Sequence, residues 1–112
     1  MSQVTTHVLD TTRGRPAAGI TISMYEKTGT EWIEVATGIT DSDGRIKDLL
    51  KPGLLLPLGT YKMKFATKEY FKVHGMEAFY PCVEIIFDIR SNEHYHIPLL
   101  LNPFGYSTYR GS

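Results

Sequence analysis

Apolar residues recur at every second position in short stretches, each soon closed by a turn signal, and this rhythm fixes the class of fold. Ile20, Ile22 and Met24 alternate with Thr21, Ser23 and Tyr25, and Tyr61, Met63 and Phe65 alternate with Lys62 and Lys64. Val83, Ile85, Phe87 and Ile89 line one side of a further stretch. Successive side chains of a strand point to opposite faces of its sheet, so a period of two predicts half-buried strands. Residues 4–9, 20–26, 32–39, 60–65, 83–89, 94–101 and 106–109 read this way. In residues 32–39 the pattern sets Ile33, Val35, Thr37 and Ile39 opposite Trp32, Glu34 and Ala36. One short helix is expected over residues 68–74, with Thr67 as its cap and Gly75 ending it. Leu54-Leu55-Leu56-Pro57-Leu58-Gly59 reads as a buried connection, and Pro98 as an irregular or edge position in its strand. Seven or eight brief strands with one helix predict an all-β chain folded as an antiparallel β-sandwich.

A chain of 112 residues suits one domain, residues 1–112. It can bury roughly 60–70% of the surface of its extended form, enough for a core without metals or disulfides. Twelve basic and twelve acidic residues cancel. That balance removes the electrostatic case for nucleic acid or an anionic membrane, and it leaves self-association unopposed. Cys82 is the sole cysteine, so no internal disulfide framework exists and a reducing compartment is allowed. Its apolar neighbours suggest a core position. Met1-Ser2-Gln3-Val4 lacks the pattern of a secretory signal, and no apolar run reaches membrane-spanning length. The expected compartment is the cytoplasm.

Asp41-Ser42-Asp43-Gly44 is a tight turn: aspartates bond to nearby amides and glycine tolerates positive φ. A calcium loop would need a glutamate six residues past the glycine, where Leu50 stands. Arg45 follows this turn. It is either a solvated surface charge or a donor fork for an anionic or carbonyl-rich substrate. In residues 94–101, His94, His96, Pro98 and Leu100 share one face and Tyr95, Ile97, Leu99 and Leu101 the other. With the leucine-rich face inside, His96 looks out into a groove or a subunit interface. His7 alternates in the same way with Thr6 and Val8. Each histidine is either a structural hydrogen-bonding group or a proton-exchanging one suited to activating water. Arg110 offers a second positive charge, Tyr109 a ring for stacking, and Ser107 and Thr108 hydroxyls for an oxygen or a water. No compact zinc motif, phosphate loop or Gly-x-Ser-x-Gly elbow occurs, so no metal or cofactor is expected.

Taken together, these residues resemble the 5-hydroxyisourate hydrolases of the transthyretin-like family. The likeness rests on Thr6-His7-Val8-Leu9-Asp10-Thr11, Gly14, Pro16-Ala17, Thr40-Asp41 with Asp43-Gly44-Arg45, Phe79-Tyr80-Pro81 and His94-Tyr95-His96-Ile97-Pro98-Leu99-Leu100. It closes on Tyr106-Ser107-Thr108-Tyr109-Arg110-Gly111-Ser112, the segment that separates the hydrolases from the hormone carrier. The resemblance implies a prealbumin-like sandwich, a homotetramer with active sites at a subunit interface, and hydrolytic opening of 5-hydroxyisourate. It implies catalytic roles for His7, Arg45 and His96, and substrate binding by Ser107, Tyr109, Arg110, Gly111 and Ser112. Asn102 stands where the family more often has serine. The alternative it leaves open is a noncatalytic small-molecule carrier.

Overall fold

In the computed structural model, which describes residues 2–112, the alternating stretches become eight strands and one helix. They are β1 (Val4–Asp10), β2 (Arg15–Pro16), β3 (Thr21–Thr28), β4 (Glu31–Ile39), β5 (Gly59–Phe65), α1 (Thr67–Val73), β6 (Val83–Ile89), β7 (Tyr95–Asn102) and β8 (Gly105–Thr108). Two four-stranded sheets, ordered β2-β1-β7-β8 and β4-β3-β5-β6, form the sandwich. All pairings are antiparallel except one. β1 and β7 run parallel, in register from Val4↔Tyr95 to Asp10↔Leu101. They are far apart in sequence, so no hairpin forces them to run in opposite directions.

The core fills from the predicted faces. Val4, Val8 and Leu99 of one sheet meet Ile22, Met63 and Phe65 of the other, all with no exposed surface. Fully burying side chains of this size stabilises by about 1.5–3 kcal/mol each.

Three local expectations are corrected, and the irregular position expected for Pro98 is found. In β4, Met24 pairs with Ala36 and Tyr25 with Glu34, so Val35 is an extra residue at a bulge. One inserted residue flips the faces. Ile33 and Ile39, placed together by simple alternation, end on opposite sides of the bulge and are 50% and 63% exposed. The leucine-rich connection before β5 is not buried: Leu54, Leu55 and Leu58 are exposed, and only Leu56 packs against the core. Polar groups fix it instead, since the Leu56 amide donates to Gln3 Oε1 at 2.9 Å and the Tyr61 hydroxyl to the Pro57 carbonyl at 2.6 Å. Thr67 does not cap α1; it is the first helical residue and is buried, with Ala66 at the cap position. Pro98 lies in an interior strand, next to the point where the β8 ladder stops at Leu99↔Thr108. Its carbonyl accepts from the Thr108 hydroxyl at 2.6 Å, so the missing N–H faces the side the ladder has already left. Cys82 is half-buried just before β6.

A buried aspartate ties α1 to the end of β1. Asp10 Oδ1 accepts from the amides of Thr12 and Arg13 at 3.0 and 3.1 Å. Its Oδ2 accepts from the Tyr70 hydroxyl at 2.7 Å. Burial, reinforced by Asp10, raises the Tyr70 phenol above its ordinary value. Tyr70→Phe strips a partner from a carboxylate with no exposed surface. We predict a loss of about 1–3 kcal/mol in urea unfolding; an unchanged midpoint would contradict the bond.

Candidate active site

The parallel pairing of β1 with β7 builds the floor of the site. It sets Thr5 opposite His96 and His7 opposite Pro98. Because Val4, Thr6 and Val8 point inward with Tyr95, Ile97 and Leu99, the odd residues of β1 and the even ones of β7 face outward. Both histidines therefore stand on the outer face of one sheet.

Arg45 reaches them through the turn. Asp41 Oδ1 accepts from the amides of Asp43 and Arg45 at 2.9 and 3.1 Å, and the Asp41 amide donates to the Arg45 carbonyl at 2.7 Å. The turn is then pressed onto β1: the Val8 amide donates to the Gly44 carbonyl at 2.9 Å, and Arg45 bridges to His7. Gly44 has φ +74°, and a Cβ there would lie 2.4 Å from the Val8 carbonyl oxygen. Only glycine allows both the bend and the approach. The tail closes the site from the other side. The Gly111 amide donates to the His96 carbonyl at 2.9 Å, and a Cβ on Gly111 would lie 2.5 Å from His96 Cδ2.

The resulting cleft, about 540 Å³, is lined by Thr5, Asp41, Arg45, Lys47, His94, His96 and Ser112 among others. Its wall carries the Arg45 and Lys47 cations together with the Asp41 carboxylate. Burial first, then the charges of Arg45, His94 and His7, hold His96 below the ordinary imidazole value. A neutral imidazole beside a guanidinium can accept a proton while the arginine binds oxygen. Among the described residues, no three His, Cys, Asp or Glu side chains form a metal-binding group.

His7, Arg45, His96, Gly111 and Ser112 are thus brought together within one chain. Ser107, Tyr109 and Arg110 are not. Ser107 pairs with Leu100 on β7 and so shares the outer face with the histidines at a distance along the sheet. Tyr109 and Arg110 line a second cavity of about 670 Å³, which shares His96 with the cleft and is also lined by Phe87 and Tyr95. There Arg110 pairs with Glu93, lies 4.7 Å from the centre of the Tyr95 ring, and holds the Glu93 carboxyl below its usual range. Two cleft residues, Thr5 and His94, received no role from the sequence. Strand alternation puts them on the faces of His7 and His96, and that was the available signal.

A two-layer sandwich of this topology, carrying a histidine–arginine cleft on the outer face of its β1–β7 sheet, defines a transthyretin-like protein with a polar rather than a hydrophobic site. A family model described as HIUase/Transthyretin matches residues 4–111. A 5-hydroxyisourate hydrolase of Mus musculus is 47% identical, over 99% of this chain and 96% of its own. The solved 5-hydroxyisourate hydrolase of Klebsiella pneumoniae superposes with a TM-score of 0.85 at 35% identity, covering 97% of this chain and 98% of that one. Sea bream transthyretin, solved in complex with thyroxine, gives 0.91 at 33% identity, with 97% and 94% covered. The chain belongs to the HIUase/Transthyretin family.

Gly111→Ala tests the tail packing. We expect the His96 ring resonances to shift while stability changes by no more than about 1 kcal/mol, because the tail can lift without disturbing the core. Unmoved His96 resonances would contradict the contact.

Proposed function

We propose that this chain is a 5-hydroxyisourate hydrolase, opening the six-membered ring of its substrate to give 2-oxo-4-hydroxy-4-carboxy-5-ureidoimidazoline in urate degradation. The observation that carries the reading is the neutral-leaning His96 held with Arg45 in one cleft, with His7 bridged to Arg45 beside it. Both hydrolase and carrier relatives share the sandwich, so the fold alone does not choose between them. A carrier has no need of two histidines and an arginine around a small polar cleft.

His96 takes a proton from water as the oxygen attacks the activated ring carbonyl. Arg45 binds the carbonyl oxygen and stabilises the charge that builds on it in the tetrahedral intermediate. The ring C–N bond then breaks, and the proton held by His96 is returned to the departing nitrogen. His7, next to Arg45, positions the water or shares its proton. Ser112 lies at the cleft and orients the substrate. No covalent enzyme intermediate is invoked, since the cleft holds no nucleophile–base–orienter set.

We further propose that residues 1–112 act as one domain in a homotetramer in the cytoplasm. Two features support assembly. The outer face bearing His7, His96 and Ser107 has no covering layer within the chain, and β6 and β8 are sheet edges. An interface on that face would let Ser107, Tyr109 and Arg110 of a neighbouring copy take part in binding. A single cysteine is compatible with a reducing compartment.

His96→Asn should lower kcat about 100-fold or more with the fold retained, as expected for loss of a general base; full activity would remove His96 from the mechanism. The pH profile gives a second test. Because the His96 pKa is lowered, the base form persists below pH ~6.5, the ordinary imidazole midpoint. The acid limb of kcat/KM should therefore lie below that value. Arg45→Gln removes a charge that disfavours protonation, so the limb should move to higher pH. A limb that stays fixed would show that Arg45 does not set His96.

A further inference from the structure

The hydroxyl of Thr5 touches two imidazoles at once. Its Oγ1 lies 2.8 Å from His96 Nδ1 and 2.8 Å from His94 Nε2. The two rings are nearly parallel, 18° apart, with centres separated by 6.3 Å. A hydroxyl carries a single hydrogen. It can donate to one of these nitrogens only, and to hold the other at that distance it must accept. The rings are therefore locked into complementary tautomers.

We propose that Thr5 and His94 are positioning residues that fix His96 in the tautomer with hydrogen on Nδ1, leaving Nε2 bare for the substrate side. In this arrangement His96 Nδ1–H donates to Thr5 Oγ1, and Thr5 donates its hydrogen to His94 Nε2. His94 carries its own hydrogen on Nδ1. The opposite arrangement puts hydrogen on His96 Nε2 and gives the cleft a donor where the reaction needs a base. The need for a base at that position selects the first arrangement.

Geometry makes the lock rigid. Thr5 is the register partner of His96 across the parallel pair, so its hydroxyl is delivered by the ladder and not by a mobile loop. The Gly111 backbone packs against the other edge of the His96 ring, near Cδ2. The ring is thus held between a tautomer-setting hydroxyl and the tail. A neutral histidine side chain in water prefers hydrogen on Nε2, so the wrong tautomer is the default once the hydroxyl is gone.

The choice between the two tautomers rests on the hydrolase reading; the lock between the rings does not. The test is long-range proton–nitrogen NMR on protein labelled with nitrogen-15 in histidine, alongside turnover of 5-hydroxyisourate. In the unaltered protein at neutral pH, His96 should show hydrogen on Nδ1 and a bare Nε2. Thr5→Val, nearly isosteric, should move His96 toward the Nε2–H form and lower kcat by roughly 10- to 100-fold with KM little changed, the scale seen when an orienting partner of a functional histidine is removed. Thr5→Ser restores the hydroxyl and should rescue both. Nε2–H in the unaltered protein, or the same tautomer in Thr5→Val, overturns the proposal. The predicted tautomers in a protein that does not turn over 5-hydroxyisourate would uphold the lock and refute the hydrolase reading.

Discussion

The parallel ladder between β1 and β7 is the interaction on which the site depends. It joins residues some ninety positions apart in the chain. Its register decides that Thr5 meets His96 and that His7 lies one pair farther along the same face. A slip of one residue would turn the histidine of the slipped strand toward the core. That slip is blocked from within, because Val4, Val8, Tyr95, Ile97 and Leu99 would have to leave the core for water. The hydrophobic effect thus sets the position of polar groups that never enter the core.

Two short segments complete what the ladder begins, and both depend on glycine. Gly44 lets the Asp41–Arg45 turn lie flat on β1, and Gly111 lets the tail lie flat on His96. Each brings backbone within a distance that a side chain would forbid. The sandwich is thus a scaffold shared with a relative solved in complex with thyroxine, while the proposed chemistry draws on one turn, two outward strand faces and a short tail. A common fold hosts different functions through the sites placed on it.

Much of this was legible in the sequence where a local rule and the tertiary structure agree. Alternation correctly sided Ile22, Met24, Tyr61, Met63 and Phe65, and it placed His96 outward because Tyr95, Ile97, Leu99 and Leu101 had to go in. The Asp41–Gly44 turn could be read from its side-chain chemistry. What escaped was set by partners distant in sequence. The β4 bulge at Val35 depends on the register with β3, and alternation within one strand contains no information about it. Leu54, Leu55 and Leu58 looked buried by composition, yet Gln3 and Tyr61 hold that loop by its backbone at the surface. Thr67 looked like a cap, but packing drew it inside the helix. The tail looks like a single binding unit in sequence, whereas within one chain it divides: Ser112 lines the cleft, Gly111 packs on His96, and Tyr109 and Arg110 line the second cavity. Thr5 went unnoticed because a threonine in a strand is ordinary until its partner across the ladder is known.

The most direct test of the account is the ultraviolet decay of freshly generated 5-hydroxyisourate, followed with and without a catalytic amount of the protein. The account predicts a decay rate that rises in proportion to protein concentration and yields the ring-opened product. Decay at the uncatalysed rate in the presence of folded, assembled protein would contradict it and leave the cleft as a binding site without chemistry.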